Sequence, residues 1–287
     1  MIIIEKVGFL TTWQDDGRIG YGHWGVRPGG PMDPVSAQLA RGLIHGTANL
    51  PILESHFPGP VLRFDSAATI SITGADFGAR LSSGRFLAPR GCYQVQAGEV
   101  LTFTQKLEGE WVYIGIAGLD PLRSWLGSVD QPIQVGQMLS HQSIQLPEKK
   151  LGNWYRPFSS SIRFLPRPEF NEITFGFEVE RLPESNRMGY RLKGSFPRLD
   201  HSEFSAGVVQ GTIQLLPAGQ AIVLMADHQT TGGYPVLGEV ISVDIGKLAQ
   251  KKQNQLFHLI PVSHQKVWEV KTQWMTVCRK MINLPLG

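Results

Sequence analysis

Short runs of strand-forming residues punctuate this chain: Val61–Phe64, Thr69–Thr73, Leu101–Thr104, Trp111–Ile116, Ser161–Leu165, Ile222–Met225, Val240–Asp244 and Phe257–Val262. Each is too short for a typical helix and is bounded by Gly, Pro, Ser or Asp, which is how half-buried strands and their turns read. The 32 glycines and 19 prolines supply turns without any collagen period or low-complexity tract. Helical patterns do not alternate regularly with these runs, so a parallel α/β sheet is disfavoured against barrels or sandwiches. The expected fold class is mainly β with a few short helices.

One helix is well marked. Asp33 can cap it, Pro34 suits its first position, Val35, Leu39 and Leu43 recur every fourth residue, and Gly46 suits its exit. A second pattern near the C-terminus places Val267, Val270, Trp274, Val277 and Met281 on one stripe, with Lys266, Lys271 and Lys280 off it. Val and Trp also favour sheets, so a strand reading stays open there. The stretch Pro147–Ser161 combines charge, a Gly-Asn pair, a proline and serines. It is the natural boundary between two parts, 1–155 and 156–287, with segments free to cross over. No internal repeat is visible.

A formal charge of +3 with both signs interspersed gives no general affinity for a phosphate backbone, so nucleic acid is a poor partner. Two distant cysteines, Cys92 and Cys278, cannot build a disulfide framework or a four-cysteine zinc site. The apolar start Met1–Ile4 is far shorter than a signal peptide, and no run approaches a membrane span. These features predict a cytoplasmic globular protein with no membrane partner. The chain lacks a phosphate loop, a His-Glu-x-x-His pair and a G-x-S-x-G elbow, and its eight histidines are scattered, so no metal is indicated.

Three polar, glycine-rich clusters remain. The first spans Thr11–Gly20 and Gly25–Asp33, the second Ser185–Leu192, and the third Gly219–Pro235, where an apolar strand runs directly into Asp227, His228, Gln229, Thr230 and Thr231. A rigid strand that ends in acid, imidazole, amide and hydroxyl groups is a way to present a polar site. The Thr230-Thr231-Gly232-Gly233 turn can aim N–H groups and hydroxyls at a carbonyl or carboxylate oxygen. Asp227 or His228 can move a proton, and Arg187 can grip a planar carboxylate or ureido group. Structural readings stand beside these. Asp227 can cap a turn, Arg18 can pair with Asp15 or Asp16, and His23, His45 and His56 suit structural or solvated roles.

These residues resemble the family of KipA-like proteins, also known as the C-type subunit of bacterial 5-oxoprolinase and as the biotin-dependent carboxyltransferase domain of urea amidolyase, formerly the second subunit of allophanate hydrolase. The resemblance runs through Gly8–Gly20, Gly25–Asp33, Leu53-Glu54, Gly59-Pro60, Gly74–Asp76, Ala117–Asp120, Asn186–Leu192, Gly211–Gln214 and above all Asp227–Pro235. It implies two cyclophilin-like β-barrel domains. It implies a heteromer with a KipI-like protein, the B-type partner, and with a separate A-type partner of 5-oxoprolinase. The implied substrate is a small amide or lactam, opened at the cost of ATP held by the complex. A carboxyltransferase would instead use biotin, and a non-catalytic regulator would only bind its KipI-like partner. The candidate catalytic residues are Asp227, His228, Thr230 and Thr231. The substrate-binding set is Asp15, Arg18, Arg187, Tyr190, Gln214, Gly232, Gly233 and Tyr234.

The chain also departs from the family pattern. Asn186 stands where an aspartate is common, Val129-Asp130 replaces an Arg-Ser pair after Gly127-Ser128, Glu110-Trp111 takes the place of an arginine, and His228 replaces another arginine. These changes lose or reverse charge, which suggests altered recognition or reduced catalysis in a divergent paralogue.

Overall fold

The computed structural model describes residues 1–45, 49–152, 158–197 and 204–282. Two compact units emerge: residues 1–17, 33–155 and 277–287 form one, and residues 18–32 and 156–276 the other. Both are built mainly of strands, as expected. No helix among the described residues is long and apolar enough to cross a membrane.

In chain order the first unit contains β1 (Ile2–Lys6), β2 (Phe9–Gln14), α1 (Pro34–Leu43), β3 (Ile52–His56), β4 (Val61–Phe64), β5 (Ala68–Asp76) and β6 (Ala79–Leu81). It continues with β7 (Gly91–Val95), β8 (Val100–Phe103), β9 (Glu108–Ile116), β10 (Gln131–Pro132), β11 (Met138–Leu139) and β12 (Lys149–Lys150). One sheet runs β11-β1-β4-β8-β6 and the other β10-β2-β3-β9-β5-β7-β12. Ile2, Ile4, Leu62, Phe64 and Leu101 from the first meet Leu53, Ile70, Ile72, Val112 and Ile114 from the second in one core. Alternation explains why β5 is buried on both faces. Ile70 and Ile72 enter this core, while Ser71 and Thr73 lie under α1 and donate their hydroxyls to Ala40 O (2.7 Å) and Ser36 O (2.6 Å). Asp33 caps α1 through the Ser36 N–H at 2.9 Å, and Pro34 opens it. Gly46 lies outside the described residues, as do 153–157 within the expected linker.

The second unit contains β13 (Ser161–Pro166), β14 (Phe177–Arg181), β15 (Gly189–Gly194), β16 (Ala206–Gly207), β17 (Thr212–Leu216), β18 (Gln220–Leu224), β19 (Thr231–Gly232), β20 (Val236–Val240), α2 (Ser242–Ala249) and β21 (Leu256–Pro261). Seven of these strands close a barrel in the order β13-β20-β17-β18-β15-β14-β21, with β21 pairing back to β13 in parallel. Closure removes the free sheet edges. Its interior takes every second residue, including Ile162, Phe164, Val179, Leu192, Ile213, Val223, Phe257 and Leu259, all buried. β16 and β19 form a separate two-stranded ribbon.

Val240–Asp244, which reads as a strand in the sequence, is not one: β20 ends at Val240 and α2 starts at Ser242. Asp244, fully buried in the first turn of α2, is gripped by Arg163 through two 2.7 Å hydrogen bonds and by Lys247 at 2.7 Å. That tertiary ion pair outweighs the strand preference of the β-branched residues. The C-terminal stripe is helical: α3 spans His264–Ile282, with Val267, Val270, Trp274 and Val277 half-buried. The Lys280 and Met281 side chains lie outside the described residues.

Candidate functional site

The second unit brings the part of the first polar cluster within 18–32 together with the second and third clusters around the end of β18. Beyond it the chain turns at Met225–His228, with the Asp227 N–H donating to Arg187 O (2.8 Å) and the His228 N–H to Met225 O (3.1 Å). Arg187 returns a bidentate grip on Asp227: Nε to Oδ2 at 2.9 Å and Nη2 to Oδ1 at 3.1 Å. The same Nη2 donates to Gly30 O at 2.8 Å, and Arg27 adds a third contact to Asp227 Oδ1 at 2.5 Å. Segment 18–32 is thereby bound to the barrel, and Gly22 faces the Thr230 side chain, to which an added Cβ would come within 3.8 Å.

This geometry fixes the contacts of these side chains. The planar carboxylate that Arg187 grips belongs to Asp227. With its oxygens engaged by guanidinium N–H groups, Asp227 is arranged as a clamp between the turn and segment 18–32. His228 is buried and points Nδ1 at Gln229 O (2.5 Å). That bond requires a proton on Nδ1 and braces the backbone of Gln229. Thr230, whose carbonyl accepts from the Val208 N–H at 3.2 Å, leads into β19. No protein partner for the Thr230 or Thr231 hydroxyl is present among the described residues, and Thr231 and Tyr234 are exposed.

Gln214 lies beneath this ribbon. Ile213 and Leu215 take the barrel interior, so Gln214 falls on the other face of β17, where the pairing with β20 slips register. Bulges of this kind re-aim side chains and cluster near active sites. Gln214 is only 1% exposed, yet its Nε2 has no hydrogen-bond partner. Its Oε1 accepts from Gln229 Nε2 at 3.4 Å. Gly232 passes so close that a Cβ there would stand 2.3 Å from Gln214 Nε2. Gln229 and Arg27 therefore belong to the same cluster of contacts and are absent from the candidate set. Their signal is their place inside the polar clusters, where acids and hydroxyls draw more weight than an amide or a distant arginine.

Other candidates are committed elsewhere. Tyr190 is fully buried, with its hydroxyl on Ala249 O at 3.0 Å and the Arg181 guanidinium stacked 4.0 Å over its ring, so it is a core residue. Asp15 belongs to the first unit, where Oδ1 accepts from Ser128 Oγ (2.6 Å) and the Gly17 N–H (2.9 Å) and Oδ2 from the Val129 N–H (2.6 Å). It pins the loop after Gly127 to the end of β2. Asp16 pairs with Arg41 at 2.6 Å, and the buried Arg18 donates its N–H to Pro28 O at 2.7 Å. Burial pushes the Cys92 thiol up to about 11 and that of Cys278 up to about 12, so neither presents a thiolate at neutral pH. Among the described residues no three His, Cys, Asp or Glu side chains converge as a metal centre.

Comparison with known proteins adds an independent line. The model of the carboxyltransferase domain, subdomain A and B, matches residues 24–148 and 167–261. The C-type subunit of 5-oxoprolinase from Haemophilus influenzae is 30% identical over 292 residues, covering 94% of both chains. Its counterpart from Escherichia coli is 30% identical over 293 residues with the same coverage. The crystal structure of Kluyveromyces lactis urea carboxylase matches in fold with a TM-score of 0.81 at 21% identity, over 100% of this chain and 30% of that one.

Proposed function

This chain belongs to the family of the carboxyltransferase domain, subdomain A and B, and from that premise we propose that it is the C-type component of an ATP-dependent 5-oxoprolinase. In this reading it acts with a KipI-like B-type partner and a separate A-type partner to open a five-membered lactam to glutamate. The observation that carries it is the match, over 94% of both chains, with proteins named as the C-type subunit of 5-oxoprolinase. A urea amidolyase relative from Lachancea kluyveri is instead matched over 17% of its length, as one domain of a larger enzyme.

The chemistry required is a polarised carbonyl, an excluded solvent shell and a positioned nucleophile. The Thr230 and Thr231 hydroxyls and the backbone at Gly232 and Gly233 supply donors for the lactam oxygen as it gains charge. Asp227, Arg187, Arg27 and His228 hold that turn in place. The sequence has no phosphate loop, so ATP is assigned to the partner proteins, where it drives the otherwise unfavourable ring opening.

The family model favours a second reading, carboxyl transfer to another acceptor. Biotin's ureido ring is a planar amide, and an amide-lined turn with unengaged hydroxyls fits it chemically. In its N-carboxylated form it would supply the carboxyl group and be left as free biotin, while Gln229 and the Thr230–Gly233 turn would orient the acceptor. Co-expression with the A-type and KipI-like proteins, followed by assay of glutamate released from 5-oxoproline, tests the first reading. Glutamate should appear only with ATP present, and an assembled complex without turnover would overturn it.

A further inference from the structure

Resting on this amide-acting reading, we infer that Gln214 and Gln229 form a two-amide reader for the edge of a planar cis amide, the class that includes lactams and cyclic ureas. Two facing primary amides ordinarily close a pair of N–H to O=C bonds. Here one bond forms, from Gln229 Nε2 to Gln214 Oε1 at 3.4 Å, and Gln214 Nε2 is left with no partner although buried. A buried donor without an acceptor is rare in folded proteins and costly to keep. It is retained where something else satisfies it.

With that bond made, the unpartnered Gln214 Nε2 still offers its N–H groups, and the exposed Gln229 offers its Oε1 beside its second N–H. A cis amide presents the complement, a C=O and an N–H on one edge. Both glutamines can rotate together by 180° and keep their mutual bond, and the pair then still offers an N–H donor on one amide and a carbonyl acceptor on the other. The reader is thus a property of the pair, whichever amide supplies which group. The half-buried Gly232 lies directly over the Gln214 donor, so a ligand edge that enters past Gln229 reaches Gln214 Nε2 by displacing this stretch of the ribbon. His228 fixes the Gln229 backbone through its carbonyl, so the exposed amide is held at both ends.

The test uses the full chain and three ligands: 5-oxoproline, its N-methyl derivative, and the lactone acid in which oxygen replaces the ring N–H. Calorimetry or ligand-observed NMR should show the N–H lactam bound about tenfold tighter than either analogue, because a site built for a hydrogen bond rejects a ligand that lacks it. Gln229→Leu, at an exposed position that leaves folding intact, should weaken binding of the N–H lactam by about tenfold. Gln214→Glu keeps the side-chain length but replaces the amide, and should weaken it at least as much. Equal affinity for all three ligands, undiminished binding by Gln229→Leu, or no binding of any of them at millimolar concentration would each overturn the inference. Failure of the proposed reaction is a separate result: an N–H preference without glutamate release leaves the reader standing and removes the oxoprolinase reading.

Discussion

The closest approach in the candidate site is the one between Gly232 and Gln214, and it yields a quantitative expectation. An alanine Cβ at 232 would stand 2.3 Å from Gln214 Nε2 and 3.3 Å from its Cδ, while the next neighbour, Val208 Cγ1, is at 3.4 Å, an ordinary contact. No left-handed backbone angle is recorded at Gly232, so the penalty arises from the clash and not from the backbone. To accept the methyl, the buried amide must move by about 1 Å, giving up its bond to Gln229. Overpacking of this kind costs about 1–3 kcal/mol. Gly232→Ala should therefore destabilise the chain by that amount, measured as a shift of the urea midpoint at unchanged slope. In a Gln214→Ala background the obstructing atoms are gone, and the same substitution should cost less than about 0.5 kcal/mol. The cycle thus predicts a coupling of about 1–2 kcal/mol between two residues 18 positions apart in the sequence. Additive effects would refute the claim that Gln214 is what forbids a side chain at 232.

Other perturbations test the rest of the framework. Asp227→Asn should weaken the bonds from Arg187 and Arg27 and cost about 2–3 kcal/mol in denaturant unfolding, whereas Arg27→Ala, at a half-exposed partner, should cost less than about 1 kcal/mol. Burial pushes the Asp244 carboxyl up, but the hydrogen bonds from Arg163 and Lys247 outweigh it and hold the group below the usual carboxylate range. Its stabilising contribution is therefore complete above about pH 5 and is lost as the pH falls through 4 and below; a melting profile against pH should show this loss, and Asp244→Asn should flatten it. Burial lowers the Lys251 ammonium to about 8, so the unfolded chain binds more protons between there and the ordinary lysine range. Stability should rise by about 2–3 kcal/mol from pH 8 to 10, and Lys251→Met should abolish that rise in the same measurement.

Period-two alternation makes most strands legible, because a barrel wall with one face on the core shows it directly, as in Ser161–Leu165 and Phe257–Val262. The same rule misleads at Val240–Asp244, where β-branched residues mimic a strand and the deciding partner, Arg163, lies far away in the chain. Closure of the ring by β21 against β13 is illegible for a related reason, since parallel pairing of distant strands leaves no local signal. Chemistry reads more accurately by residue type than by role. Asp227 and Arg187 do meet, but as each other's partner. Tyr190, placed among substrate-binding residues by its neighbours in the sequence, alternates into the barrel interior. Gln214 stands out in the sequence, while Gln229, the amide that its carbonyl holds, does not.

The departures from the family pattern now have a different weight. Asn186 accepts from the Met188 N–H through Oδ1 at 2.8 Å, a bond an amide oxygen makes as well as a carboxylate does, and Arg187 draws its counter-charge from Asp227. Val129 fills the core of the first unit, and its N–H, a group present whatever the side chain, is the one held by Asp15. Glu110 is buried between His56 Nε2 at 2.7 Å and Lys106 Nζ at 2.5 Å. Burial pushes its carboxyl up, yet those two partners pull it below the usual range, so the reversed charge is balanced within its own unit. His228 uses its ring to brace the Gln229 carbonyl. Each altered position therefore makes an internal contact in this structure. These contacts account for the stability of the altered positions; turnover by the assembled complex, against partner binding without turnover, separates a catalytic from a regulatory role.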